Sequence, residues 1–75
     1  MRVLKSGTRV FIAQVGFPEY GQRCTIHRFV PNVTSRPDDI WYSYRVEGQR
    51  KLSGLICHES WVTVTDNRPD RYADR

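Results

Sequence analysis

The chain has 75 residues, 39% of them apolar and 27% charged, with a formal net charge of +4. This length allows one domain that buries only about 60% of the surface its unfolded form exposes, so a deep catalytic pocket is not expected and a binding role is the better starting hypothesis. The apolar content excludes wholesale disorder.

Neither membrane insertion nor secretion is indicated by the hydropathy pattern. The apolar runs span only a few residues, whereas about 20 are needed to cross a bilayer. The segment 1–7 carries charge but lacks the apolar region of a secretory signal. Two cysteines, Cys24 and Cys57, are too few for a disulfide scaffold and are interpreted as reduced core residues. The expected location is the cytoplasm, without membrane association.

Five segments show the alternation of apolar and polar residues that predicts β-strands. In the first segment Val10 and Ile12 share one face. Arg28 and Phe29 interrupt the alternation of the second, which predicts a bulge or a strand end there. The predicted strands are residues 8–15, 22–30, 39–46, 50–56 and 61–65.

The connections between these segments contain residues that favour turns. Glycine and proline residues predict loops at residues 16–21 and 31–38. The glycine within residues 47–49 predicts a hairpin. Residues 57–60 suit a single 3₁₀ turn. The charged segment 67–75 has no apolar face and is predicted to be a flexible tail.

Alternation along the five predicted strands also identifies the core. In strand 39–46 the even-numbered residues share one face, and Trp41 and Arg45 lie on the other. The residues predicted to face the core are Val10, Ile12, Cys24, Ile26, Ile40, Tyr42, Tyr44, Val46, Leu52, Ile56, Val62 and Val64.

Five short strands in this order favour an all-β, antiparallel five-stranded barrel over residues 1–66, because closure removes exposed sheet edges. The pairs and triplets Trp41-Tyr42, Gly54-Leu55-Ile56 and Ser60-Trp61-Val62, with the hairpin Gly48, resemble the C-terminal half of an SH3-like barrel. The resemblance covers 7–66 as an architecture and 41–62 as a motif. It implies that fold, whose Tudor-like, KOW-like and phage accessory members bind varied partners.

One departure bears on the ligand that the resemblance implies. In peptide-binding SH3 domains a motif similar to Gly54-Leu55-Ile56 is followed directly by proline, whereas in this sequence it is followed by Cys57. The resemblance therefore does not imply recognition of proline-rich peptides.

Trp41 is the first candidate for a binding residue. An SH3-like barrel would place it between the loops 16–21 and 31–38, close to other aromatic side chains. Tryptophan, tyrosine and arginine dominate interface hot spots because they offer large rigid contact areas. We therefore predict a protein-binding surface, with Arg45 and Asp39 setting orientation at its rim. Its residues are Phe17, Tyr20, Asp39, Trp41, Arg45 and Trp61.

Nucleic-acid binding is the alternative hypothesis. Ten of the twelve cationic residues are arginines, whose guanidinium groups bind phosphate in bidentate fashion. Cations interleaved with an aromatic residue are typical of modules that bind phosphates and stack bases. The alternative site comprises Arg9, Phe11, Arg23, Arg45 and Lys51. A third possibility is contact of the aromatic residues with a second copy of the chain, so a monomer or weak homo-oligomer is expected.

Metal binding and catalysis are not expected. Cys24, His27, Cys57 and His58 are zinc-competent residue types, but Cys24 and His27 should point to opposite strand faces and adjacent residues do not readily chelate one ion. The run Cys57-His58-Glu59 would diverge on a turn rather than converge as a catalytic triad. We therefore predict a non-enzymatic protein with neither cofactor nor metal.

Overall fold

The computed structural model describes residues 2–36, 38–48 and 55–74. In these ranges the chain is all-β, with two antiparallel sheets and one 3₁₀ turn, Glu59–Trp61. The strands are β1 (Arg2–Leu4), β2 (Arg9–Ile12), β3 (Arg23–Val30), β4 (Trp41–Val46), β5 (Ile56–His58), β6 (Val62–Val64) and β7 (Tyr72–Asp74).

The larger sheet has five strands in the order β5-β4-β3-β2-β6. Strands β2, β3 and β4 each pair with the next strand in sequence. Strand β6 pairs with β2, where Val10 of β2 lies opposite Val64 of β6. The register shifts between Ile26 and Arg28, so the predicted irregularity in the second strand is confirmed. In the described residues β5 and β6 form the two edges of this sheet and do not pair with each other, so the sheet is not a closed barrel.

A second sheet joins the two ends of the chain. Arg2–Leu4 pairs antiparallel with Tyr72–Asp74, with Leu4 opposite Tyr72. Val3 and Leu4 are buried, and the half-buried Tyr72 packs against the core. The expectation that 67–75 lacks regular structure is therefore wrong for residues 72–74: one aromatic side chain and a paired strand are enough to hold this charged segment.

The core follows the predicted alternation on β2, β3 and β4. Predicted core residues that are buried are Val10, Ile12, Cys24, Ile26, Ile40, Tyr42, Tyr44 and Val46. Val62 and Val64 are half-buried and pack against them. Leu52 lies outside the described residues, as does the rest of 49–54.

Ile56 is the exception among the predicted core residues. It is 37% exposed, whereas its neighbour Cys57 is fully buried. Because side chains alternate between the faces of a strand, pairing of Cys57 with the core residue Tyr42 sends Ile56 and His58 to the outer face. The prediction that Ile56 faces the core is wrong.

Candidate functional site

Four rings from four segments form a connected group, which we call the aromatic cluster: Phe17, Trp41, His58 and Trp61. The Trp41 and Trp61 ring centroids are 5.3 Å apart with planes at 80°, and Phe17 lies 5.4 Å from Trp61. His58 meets Trp41 edge to face at 5.2 Å. Such tilted contacts match the quadrupole preference of aromatic rings. All four side chains are half-buried, so part of each ring still faces solvent.

Backbone hydrogen bonds hold the four segments in place. Trp41 and His58 lie directly opposite each other on β4 and β5. Ala13, just after β2, donates its N–H to the carbonyl oxygen of Trp61 at 2.7 Å. Phe17 donates its own N–H to Gln14 at 3.2 Å and so closes the turn that carries its ring. The cluster is thus fixed by rigid elements rather than by the aromatic contacts alone.

A polar chain borders the cluster through His58. The Ser60 backbone N–H donates to His58 Nδ1 at 3.2 Å, which places the imidazole proton on Nε2. That proton is then donated to Asp39 Oδ1 at 3.4 Å. The Thr34 hydroxyl donates to the other Asp39 oxygen at 3.0 Å. Asp39 therefore joins the loop before β4 to His58, the last residue of β5 and the cap of the 3₁₀ turn, and orients the imidazole against Trp41.

The order Asp39, His58, Ser60 resembles a hydrolytic triad, with Ser60 Oγ 2.8 Å from His58 Nδ1. A triad histidine must keep its acceptor nitrogen for the serine hydroxyl. Here the Ser60 backbone N–H shares that nitrogen, as expected for a side chain that caps a 3₁₀ turn. We therefore assign the hydrogen-bonded group of Asp39, His58 and Ser60 a structural role.

The structure brings together most of the predicted protein-binding residues. Phe17, Trp41 and Trp61 are in ring contact, and Asp39 reaches them through His58. Tyr20 is 57% exposed on the same turn as Phe17 but takes part in none of the ring contacts among the described residues. Arg45 shares the outer face of β4 with Trp41, four residues away, opposite Thr25 rather than beside the cluster.

Sequence reasoning missed His58 as a member of the cluster. The available signal was Cys57: once that residue is assigned to the core, alternation turns His58 to the face that carries Trp41. Pairing of β5 with β4 then supplies the contact, and it cannot be read from a single segment.

The predicted basic residues also share a face, which we call the basic face: Arg9, Phe11, Arg23 and Arg45. Arg9 lies opposite Thr25 and Thr25 opposite Arg45, so the two arginines flank one threonine across three strands. Phe11 lies opposite Arg23. The three arginines are exposed and Phe11 is half-buried. Lys51, the remaining predicted member, lies outside the described residues.

A cavity of about 390 Å³ opens on this face. Among the described residues no acidic group lies within ion-pair distance of Arg9, Arg23 or Arg45. Glu47 lines the cavity without forming an ion pair with any described cation. The lining residues are Arg9, Val10, Arg23, Cys24, Thr25, Glu47 and Thr65.

Both cysteines are free and buried on the inner face of the sheet. Burial raises the pKa of the Cys24 thiol to about 11, with a smaller contribution from Glu19. Burial likewise raises the pKa of Cys57 to about 12. A protonated, enclosed thiol is a poor nucleophile and a poor metal ligand. Across the described ranges no three His, Cys, Asp or Glu side chains are grouped as a metal site would require.

Comparison with known proteins adds no relative to these observations. No protein-family model, curated protein or solved structure matches the chain. The described ranges contain no helix with the length and apolar character needed to span a membrane.

Proposed function

We propose that this protein is a non-enzymatic binding module that recognises a protein partner through the aromatic cluster. The observation that carries the proposal is the contact of Phe17, Trp41 and Trp61, delivered by three separate segments and left half-buried. On so small a domain, rings that are fixed in place but not covered offer contact area that loses little conformational entropy on binding. Asp39 and His58 form a polar border at one side.

The indole N–H of Trp41 gives further support. Its Nε1 atom is covered and has no acceptor among the described residues. A buried donor without a partner costs the free protein about 1 to 3 kcal/mol. An accepting group on a partner that reached Nε1 would remove that cost and so favour the complex.

For the architecture, we propose the SH3-like barrel. The sheet order β5-β4-β3-β2-β6, with the last strand paired to the first of the five and a 3₁₀ turn before it, supports this assignment. We place the module in the cytoplasm, where its two free cysteines would stay reduced.

The test is comparative affinity purification followed by titration calorimetry with any protein recovered. Trp41→Ala should weaken binding by at least about 2 kcal/mol, because it removes the central ring. Trp61→Ala should weaken the same partner. Val15→Ala, which trims a side chain 78% exposed near the same turn, is the matched control and should bind like wild type.

Amide dispersion in an NMR spectrum establishes whether each variant is folded before its affinity is compared. If a folded Trp41→Ala protein retains full affinity for the partner, the cluster is not the binding surface.

Nucleic-acid binding on the basic face is the second candidate function. The observation that favours it is the absence of any acidic partner for Arg9, Arg23 and Arg45 within the described residues. Phosphate binding by these cations would release counterions, so affinity for an oligonucleotide should fall steeply as salt rises. An oligonucleotide affinity that does not change with salt concentration would exclude this candidate function.

A further inference from the structure

The basic face concentrates positive charge more tightly than the overall composition requires. Residues directly opposite on paired strands have Cβ atoms about 4.5 to 5.5 Å apart, and diagonal neighbours about 7 to 8 Å. Arg9 and Arg23 are diagonal neighbours across β2 and β3, and Arg45 on β4 lies two strands from Arg9, with Thr25 of β3 between them. Three guanidinium groups so placed repel one another unless an anion lies between them.

Arg2, Lys5 and Arg68, by contrast, each form an ion pair with an aspartate. Arg2 lies 4.0 Å from Asp74, and Lys5 lies 3.6 Å from Asp70. Arg68 lies beside Arg9 and donates to the Thr8 hydroxyl at 3.1 Å. Its Nε atom lies 3.0 Å from a carboxylate oxygen of Asp66. Arg68 beside the cavity is therefore neutralised, whereas Arg9 and Arg23 in the cavity lining form no ion pair with a described residue.

The cavity can accommodate an oxyanion with an attached group. Its volume of about 390 Å³ lies within the range of small-ligand pockets. Arg9 and Arg23 contribute guanidinium forks, which bind phosphate oxygens in bidentate fashion. Thr25 and Thr65 also line the cavity, and the Thr65 hydroxyl donates to the Arg9 carbonyl oxygen at 3.2 Å. Charge, donors and space for one phosphate group thus meet at one place.

We propose that this cavity binds a phosphate group of single-stranded nucleic acid, with an adjoining base stacked on Phe11. Phe11 lies directly opposite Arg23 and presents a half-buried ring on the same face. Stacking on one aromatic ring accepts any base, so the site is not selective for sequence. The inference rests on the second candidate function and assigns it a specific subsite.

Glu47 provides a variant that should act in the opposite direction. Its carboxylate lines the same cavity, and its backbone N–H donates to the Arg23 carbonyl at 2.8 Å. A carboxylate at the rim repels a bound phosphate. Replacing it with the neutral amide of Glu47→Gln should therefore tighten binding and leave the backbone hydrogen bond intact.

The first experiment titrates the protein with inorganic phosphate while NMR follows the backbone amides and arginine Nε–H groups. Sodium chloride at matched ionic strength is the reference. We expect saturable shifts at Arg9, Arg23 and Thr25, affinity at least about tenfold lower in Arg9→Gln and Arg23→Gln, and higher affinity in Glu47→Gln. Arg36→Gln, which removes one charge from an exposed loop, should match wild type. Shifts equal to those in chloride would overturn the phosphate site.

The second experiment uses an eight-residue oligothymidylate and an abasic strand of the same length. The oligothymidylate should bind more tightly than the abasic strand, and Phe11→Leu should remove at least about a fivefold advantage. Phosphate binding without oligothymidylate binding would overturn both the nucleic-acid ligand and the second candidate function. Oligothymidylate binding that is unchanged in Arg9→Gln and Arg23→Gln would overturn this subsite alone and leave the second candidate standing.

Discussion

The two-stranded sheet and the basic face differ in whether their cations form ion pairs. Arg2 and Lys5, on and next to β1, lie near Asp74 and Asp70 from the C-terminal segment. Arg9 and Arg45, on the larger sheet, have no acidic partner among the described residues. The net charge of +4 is thus unevenly distributed. A modest overall excess can conceal a concentrated site, since many of the acidic residues are used elsewhere.

The largest expected effect comes from breaking the connection between the two sheets. The Leu4 N–H in β1 donates to the buried Tyr42 hydroxyl in β4 at 3.0 Å. Tyr42→Phe leaves that N–H buried without an acceptor, so urea denaturation should show a loss of about 1 to 3 kcal/mol in the free energy of unfolding. Hydrogen exchange at the Leu4 amide should accelerate more than exchange at Ile26.

Tyr72→Phe is the matched control for this change. It keeps the ring that the Arg2 guanidinium covers at 5.0 Å and removes only a hydroxyl. Its stability should stay within about 0.5 kcal/mol of wild type. Equal losses in the two variants would mean that the Leu4 hydrogen bond does not join the sheets.

A smaller effect should appear in alkaline solution on the inner face of the larger sheet. The pKa of an unfolded thiol is near 9, whereas burial raises the pKa of Cys24 to about 11 and that of Cys57 to about 12. Above pH 9 the unfolded state therefore binds fewer protons than the native state, and stability must fall as pH rises. Between pH 9 and 10 we expect a loss of about 1 kcal/mol per thiol.

Denaturation of wild type and Cys57→Ala at several pH values measures this dependence. The variant will be less stable throughout because of the cavity it creates, so the slopes are compared rather than the absolute values. The Cys57→Ala slope should be shallower. Identical slopes would show that the Cys57 proton is not retained on folding.

The smallest effects test the charge comparison itself. Arg2→Gln removes an exposed ion pair and should cost less than about 1 kcal/mol. Arg45→Gln relieves repulsion and should stabilise the protein by a few tenths of a kcal/mol at low ionic strength. Both effects should shrink in high salt because exposed charges are screened. If the two variants shift the urea midpoint in the same direction at low salt, the contrast between the regions is wrong.

Prediction from sequence worked best where one strand determines its own pattern. Alternation identified the buried faces of β2, β3 and β4, including Tyr42 and Tyr44. It failed for Ile56, where a short segment offered two registers and only pairing of Cys57 with Tyr42 decided between them. It also failed for β1 and β7, which are three residues each and show too little pattern to be identified.

The candidate sites divide in the same way. Aromatic and arginine residue types indicated Trp41, Trp61, Arg9 and Arg23, because their chemistry is visible in the sequence. The contact of His58 with Trp41 and the hydrogen bond to Asp39 were not predictable, since these residues are far apart in the chain. Tyr20 was expected beside Trp41 on the basis of loop proximity, but the turn carries its ring away from the ring contacts.

The all-β class, the outward position of Arg9, Arg23 and Arg45 and the inward position of Cys24 could be predicted from the sequence, because they follow from local alternation along a strand. The pairing of β1 with β7, the hydrogen bond between Asp39 and His58, and the cavity shared by Arg9 and Arg23 became visible only in the folded chain. Those features depend on the register between strands distant in sequence. Register is fixed by the packing of the whole core and not by any one segment.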